Sequence, residues 1–110
     1  MKYTVAITEA AKRDLAEAFD YMDLTLKNPS AADDFLTLSA ERFSSLVDFP
    51  KRCALVHDKM LSELGIRFLM IQSHIAFFSV DDANATVHIL RVLYGRRDWA
   101  ALLRNEFFHN

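Results

Sequence analysis

The stretch that decides the fold is Thr86–Trp99, which reads TVHILRVLYGRRDW. The part from Thr86 to Tyr94 is rich in β-branched and apolar residues and contains neither Gly nor Pro, which predicts a strand. A run that is apolar on both faces is typical of a strand covered on both sides, so we expect it in the centre of a sheet. Gly95 then ends the strand, and Asp98 is suited to cap a last helix that begins at Trp99.

Three arginines accompany this strand, Arg91 within it and Arg96 and Arg97 directly after it. A strand that delivers guanidinium groups to a sheet margin can form a site for a phosphate or a carboxylate, because Arg presents a planar fork of donors. The alternative is a strand end with solvated arginines and a salt bridge to Asp98. On this stretch alone, both interpretations stay open.

The composition indicates one folded domain, residues 1–110. Hydrophobic residues make up 52% of the chain, and only two Gly and two Pro occur, which excludes a disordered chain. A single cysteine, Cys53, and the lack of a transmembrane-length run or a signal peptide lead us to expect a cytoplasmic protein.

The charge is distributed unevenly along the chain. The net charge is −2, which argues against a general nucleic-acid coat. Residues 1–48 carry five Lys/Arg and nine Asp/Glu, whereas residues 49–110 carry eight and six. Any anionic partner is therefore expected to bind the C-terminal half.

Hydrophobic periodicity predicts the other elements of an α+β fold. Tyr3–Thr8 alternates as a strand, and Thr8 can cap a helix over Glu9–Lys27. Ser30 then starts a second helix, Ser30–Val47, with Asp33 as its capping-box acid. Because the link between the helices is short, we expect an antiparallel helix hairpin.

Three strands follow the hairpin. We predict one helical turn at Lys59–Glu63, then strands Ile66–Ile71, His74–Val80 and Thr86–Tyr94 with short links, which form an antiparallel meander. The predicted order is β-α-α-β-β-β-α, with the helix hairpin packed on a mainly antiparallel twisted sheet.

The sequence offers no pattern for the common kinds of catalytic site. The four histidines, His57, His74, His88 and His109, lack metal-ligand spacing, so we expect no metal and no cofactor. With two glycines in the chain there is no phosphate-binding loop, and no nucleophile-elbow motif occurs.

The arginines are the sharper feature. Arg67 shares a strand face with Leu69 and Ile71, and we expect Arg91 to share a face with Val87, Ile89 and Leu93. If the two strands are neighbours, Arg67 and Arg91 lie on one face, with Arg96 and Arg97 at its margin. Such a cluster of like charges is costly without an anion or an acidic partner. In the alternative, Arg67 pairs with Glu63 and the arginines are scattered.

Seven segments along the chain form a pattern typical of one family: Ile7–Ala11, Ala18–Met22, Asn28–Ala32, Phe49-Pro50, Gly65–Arg67, Ile75–Phe78 and Ile89–Trp99. In these segments, and in their order, the chain resembles the RelE/ParE superfamily of bacterial toxins, in the plasmid-stabilisation branch. The resemblance covers nearly the whole chain. The most specific of these segments is Ile89–Trp99.

The resemblance implies the toxin of a type II toxin–antitoxin module, neutralised by a cognate antitoxin. RelE-like members cut mRNA on the ribosome without metal, and ParE-like members poison DNA gyrase. Arg67 and Arg97 match two arginines of the RelE-like nucleases, and Lys59 lies where their catalytic lysines occur. The position of a family tyrosine falls near Leu103, so that group is missing.

These departures favour a ParE-like gyrase inhibitor over a RelE-like mRNA endonuclease. If the chain is a nuclease, Arg67 and Arg97 are the candidate catalytic residues, and His57, Lys59 or Tyr94 must supply the proton transfers. A third alternative is a degenerate toxin that binds only an antitoxin.

The residues expected to contact the target are basic: Lys59, Arg67, Arg91, Arg96 and Arg97. We expect the antitoxin to dock as a helix or an added strand, because two helices cannot cover both faces of the predicted sheet. Its acidic side chains should meet the arginines.

Overall fold

The computed structural model describes residues 2–108, so His109 lies outside the described residues. The chain forms a four-stranded sheet in the order β1-β4-β3-β2, with β1 parallel to β4 and the other pairs antiparallel. The α+β prediction is confirmed, and the predicted central strand is an inner strand of the sheet. The elements in chain order are β1 (Thr4–Ile7), α1 (Glu9–Asp20), α2 (Pro29–Ser45), α3 (Lys59–Glu63), β2 (Arg67–Ile71), β3 (His74–Asp81), β4 (Thr86–Tyr94) and α4 (Trp99–Phe108).

The first helix begins as predicted but ends differently. The Thr8 side chain accepts a hydrogen bond from the Ala11 amide and caps α1. After Asp20 the chain continues as a π-helical turn, Tyr21–Thr25, in which the Leu26 amide donates to the Tyr21 carbonyl at 2.9 Å. The prediction of one α-helix over Glu9–Lys27 was therefore wrong in its last turns. Lys27 has a left-handed φ of 52°, which stops the helix.

The second helix starts earlier than predicted. Its N-cap is Asn28, whose side chain accepts from the Ala31 amide at 3.1 Å, and Pro29 occupies the first turn. The capping box expected from Ser30 and Asp33 does not form, because Asn28 already satisfies the first free amide and Pro29 is preorganised for that position.

The sheet carries a hydrophobic core on each face. Helices α1 and α2 cover one face, where Phe35, Phe78 and Ile89 are fully buried. On the other face Phe77 packs against Trp99 and Leu103 of α4, with ring centroids 5.0 Å apart for Phe77 and Trp99. The expectation that two helices leave one face uncovered was wrong, since α3 and α4 cover it.

A β-bulge at Leu90 changes the orientation of the residues along β4. Phe77 and Phe78 are consecutive in β3, yet they pair with Arg91 and Ile89, which leaves Leu90 as the extra residue. Ile89 therefore belongs to the α1–α2 core and Leu93 to the α4 core. The predicted common face of Val87, Ile89, Arg91 and Leu93 was wrong, because a bulge shifts the alternation of side chains.

The bulge is fixed to α1 by a buried carboxylate, that of Asp14. Asp14 is 8% exposed, and its carboxylate accepts from Arg91 Nε at 2.7 Å and Nη2 at 2.9 Å. The same carboxylate accepts from the Val92 amide at 2.9 Å. Arg91 Nη1 donates to Glu106 of α4 at 2.5 Å, and these hydrogen bonds, led by that to Asp14, raise the pKa of Arg91. One arginine thus joins α1, β4 and α4.

We expect Arg91→Ala to destabilise the protein by about 3–5 kcal/mol, because it leaves the buried Asp14 carboxylate without its counter-charge. Urea unfolding followed by circular dichroism measures the change. The control is Arg13→Ala, which removes an exposed arginine next to Asp14 on α1 and should change stability by less than about 0.5 kcal/mol. A loss below about 1 kcal/mol for Arg91→Ala would contradict this assignment.

Candidate functional site

A groove of about 570 Å³ opens where β4 ends, between the hairpin and the sheet. One wall is the end of α1 and its π-helical turn, and the other is the β2–β3 turn with the end of β4. The wall residues of the hairpin are Asp14, Glu17, Ala18, Tyr21, Met22 and Leu26; those of the sheet side are Gln72, Ser73, His74, Val92, Leu93, Tyr94 and Arg97.

Apolar side chains remain exposed on the hairpin wall of the groove, at Tyr21 and Leu26, and beside it at Leu24. Tyr21, Leu24 and Leu26 are all more than half exposed. They belong to or follow the π-helical turn, a feature that is frequent at functional sites because it re-aims side chains. The groove therefore combines an apolar wall with polar groups opposite.

His74 is a half-buried titratable group of the groove. Its ring lies between Phe35 and Tyr94, at centroid distances of 4.9 and 5.7 Å. Within residues 2–108, its Nδ1 atom is buried and makes no hydrogen bond. Burial lowers the pKa of His74, and the nearby Asp14 carboxylate opposes that effect.

Two adjacent arginines follow the end of β4, and the second of them, Arg97, lines the groove. Arg96 and Arg97 are exposed, and neither side chain makes a hydrogen bond or ion pair with any other residue in the range 2–108. The salt bridge to Asp98 considered from the sequence does not form, since that carboxylate caps α4 by accepting from the Ala101 amide. Gly95 allows this turn to approach Ser73, whose carbonyl accepts from the Gly95 amide at 2.8 Å.

Arg67 has a different environment. Its Nη1 donates to the carbonyls of Cys53 at 2.6 Å and Lys51 at 3.2 Å, so the guanidinium holds the loop before α3 against the edge of β2. The pairing with Glu63 considered from the sequence is not observed. Arg67 is half-buried and its donors face the chain itself.

The expected arginine cluster does not form. Arg67 pairs with Phe78, which pairs with Ile89, whereas Tyr94 lies level with Ile71 at the other end of the sheet. Four residues of strand correspond to about 13 Å at ~3.3 Å per residue, and Arg97 lies beyond that end. Arg91 is occupied by Asp14 and Glu106, so its interaction with a target is not supported by this geometry.

Lys59 lies apart from the groove, at the start of α3. It is exposed and makes no ion pair within the described part of the chain. The preceding residue, Asp58, caps α3 and pairs with Arg104 of α4; the Leu61 amide, more than Arg104, lowers the pKa of Asp58.

Sequence reasoning missed His74 as a member of the site and the hairpin wall that faces it. His74 stood alone as a histidine at the start of a strand, and only the pairing of His74 with Tyr94 brings both to the groove. The run of exposed apolar residues after Asp20 was the available signal, because it breaks the polar pattern of a solvated helix end.

The comparisons with known proteins agree with this architecture. Residues 5–99 match the family model described as the ParE toxin of type II toxin–antitoxin systems, parDE. The chain belongs to the ParE toxin family. The search of curated protein sequences found no match to it.

Two solved structures share the fold. The RelBE2 toxin–antitoxin complex of Mycobacterium tuberculosis superposes with a TM-score of 0.60 at 24% identity, over 86% of this chain and 99% of that one. The chromosomal ParDE toxin–antitoxin system of P. aeruginosa gives a TM-score of 0.68 at 21% identity, over 84% of this chain and 96% of that one. Among residues 2–108, no helix is long and apolar enough to cross a membrane.

His74 should make stability depend on pH below neutrality. Because its folded-state pKa is lowered from 6.5, its contribution is present above pH 6.5 and is lost as the pH falls through the folded pKa. We expect stability to fall below pH 6.5 by at most about 1.4 kcal/mol per pH unit from this group. Urea unfolding between pH 7.5 and 5 measures the slope.

The control for this pH effect is His74→Phe, which fits beside Phe35 and Tyr94 and cannot titrate. The pKa values of three carboxylates, Asp58, Asp81 and Asp82, are also lowered. The stability that these groups contribute to the protein is lost only at pH values below 3.8. An unchanged slope in His74→Phe would show that another group is responsible.

Proposed function

We propose that this ParE-family chain is a toxin that a cognate antitoxin neutralises and that stops growth by binding a protein target, as ParE-like inhibitors of DNA gyrase do. Family membership supports the toxin assignment. The two similar structures come from toxin–antitoxin complexes, which supports an antitoxin partner. The target is inferred from the arrangement of the arginines.

The observation that carries the proposal is the separation of Arg67 from Arg97. Metal-free RNA cleavage requires preorganised donors around one phosphorane. The backbone of Arg67 lies about 13 Å along the sheet from the end of β4, and Arg97 lies beyond that end, which disfavours convergence of the two guanidinium groups. Arg67 is moreover engaged with the Cys53 carbonyl at 2.6 Å. The pair of candidate catalytic arginines is therefore a poor fit for a nuclease.

The groove has the character of a protein-binding surface. Its hairpin wall offers Tyr21, Met22 and Leu26, and Arg97 lies at its sheet side. Protein interfaces commonly combine an apolar, aromatic core with arginine and a polar rim. Arg96 and Arg97 can pair with carboxylates of a partner without first giving up an internal contact.

One observation favours the alternative of a ribosome-dependent mRNA endonuclease. His74, Tyr94 and Arg97 line the same groove, and together they include a neutral imidazole, a phenol and a cation. Proton transfer and charge stabilisation both need such groups. The experiment that tests the target must therefore read both activities.

We expect Arg97→Ala and Arg96→Ala each to weaken growth inhibition, so that at least tenfold more colonies survive induction than with the parent chain. The double variant should weaken growth inhibition further. Both side chains are exposed and unpaired among the described residues, so the melting temperature should stay unchanged. The matched control is Arg13→Ala, an exposed arginine on α1 away from the groove.

Supercoiling of a reporter plasmid and integrity of cellular mRNA are followed in the same cultures. The proposed target predicts that the parent chain impairs supercoiling, that mRNA stays intact, and that Arg97→Ala restores supercoiling. Cleaved mRNA with normal supercoiling would replace this target with the nuclease alternative. A folded parent chain without any growth inhibition would identify a degenerate toxin.

A further inference from the structure

Phe49 is the most exposed large apolar side chain among residues 2–108, at 78%. It is also one of the few non-glycine residues with a left-handed backbone, with φ of 49°. A bulky residue is disfavoured in that region, and an exposed aromatic ring gains no burial in return. Neither the groove nor the fold accounts for this arrangement.

The backbone around Phe49 is held firmly by Arg52. Its Nη1 donates to the carbonyls of Ser45 and Asp48 at 3.2 Å and of Phe49 at 3.3 Å, and its Nη2 donates to Ser45 Oγ at 2.9 Å. These bonds also satisfy carbonyls that end α2. The unfavourable conformation of Phe49 is thus preorganised, as expected for a residue presented to a partner.

An apolar pocket of about 510 Å³ lies beside the ring. The residues that line this pocket define the Phe49 surface: Tyr3, Phe49, Pro50, Lys51 and Arg52. Tyr3 and Lys51 both bind Asp82 in the β3–β4 loop, which places this surface at the end of the sheet away from Tyr94. It is therefore separate from the groove.

The Phe49 surface is positive on a chain that is negative overall. Lys2 and Lys51 are paired with Asp48 and Asp82, whereas Arg52 bonds only to carbonyl and hydroxyl oxygens. Arg67 behind it likewise bonds only to carbonyls, and its charge lowers the pKa of Asp82, though less than the Lys51 and Tyr3 hydrogen bonds do. A complementary partner carries carboxylates next to a large apolar side chain.

We propose that the Phe49 surface binds an acidic, apolar segment of the cognate antitoxin. This inference rests on the proposed function, because an antitoxin is the partner that the similar complexes support. The Phe49 ring is the anchor, and the neighbouring pocket receives an apolar side chain of the antitoxin. Preorganised aromatic residues of this kind commonly dominate the binding energy of an interface.

The test uses Phe49→Asn and the purified product of the reading frame adjacent to this gene. Asparagine adopts the left-handed region more readily than phenylalanine, so the variant should melt at an equal or higher temperature. Its affinity for the adjacent product should fall at least tenfold in biolayer interferometry. The control, Leu36→Gln, changes a side chain that is 42% exposed on α2 and should bind within twofold of the parent.

Growth assays separate this inference from the proposed function. Phe49→Asn should stay as toxic as the parent chain when expressed alone and should no longer be neutralised by the adjacent product. Equal binding by Phe49→Asn and the parent would overturn the inference, as would loss of toxicity with binding intact. If the parent chain itself is neither bound nor neutralised, the proposed function fails instead.

Discussion

The buried carboxylate of Asp14 is the contact on which the rest of this structure depends. It satisfies the Val92 amide and Arg91 just beyond the bulge at Leu90, so α1 is fixed to β4 at one place. Thr8 adds to the same junction, because its hydroxyl caps α1 and donates to the Leu90 carbonyl at 3.0 Å. The position of the hairpin over the sheet, and with it the groove, follows from this junction.

The junction also explains which arginines are available to a partner. Arg91 lies in the centre of the sheet, where a bare charge is costly, and two carboxylates offset that cost. Arg67 is used by the loop before α3. Arg96 and Arg97 follow the end of β4, past Gly95, where no acid of the described chain reaches them. Two adjacent arginines of the described chain therefore stay available to a partner at this end of the sheet.

Local patterns predicted most of the fold and little of the site. The limits of β4 and α3 and the caps at Thr8 and Asp98 depend on near neighbours in sequence, so residue types were sufficient. The bulge at Leu90 has no such local signature, because it depends on Asp14, which lies 77 residues from Arg91. One extra residue in a strand reverses its faces, which separates Arg91 from the face of Arg67. Arg97 is separated from Arg67 by distance along the sheet, which depends on the strand register.

The two surfaces at opposite ends of β4 set a geometric condition on neutralisation. β4 has nine residues, so the ends of the sheet are about 30 Å apart at ~3.3 Å per residue. A partner segment anchored at Phe49 reaches Arg97 as about nine residues of extended chain, or as a helix of about 20 residues at ~1.5 Å per residue. A shorter antitoxin segment would leave the groove open, and it could neutralise the chain only by moving the hairpin relative to the sheet. The junction at Asp14 makes that second route unfavourable, because moving the hairpin would take the Asp14 carboxylate away from the half-buried Arg91 and from the Val92 amide.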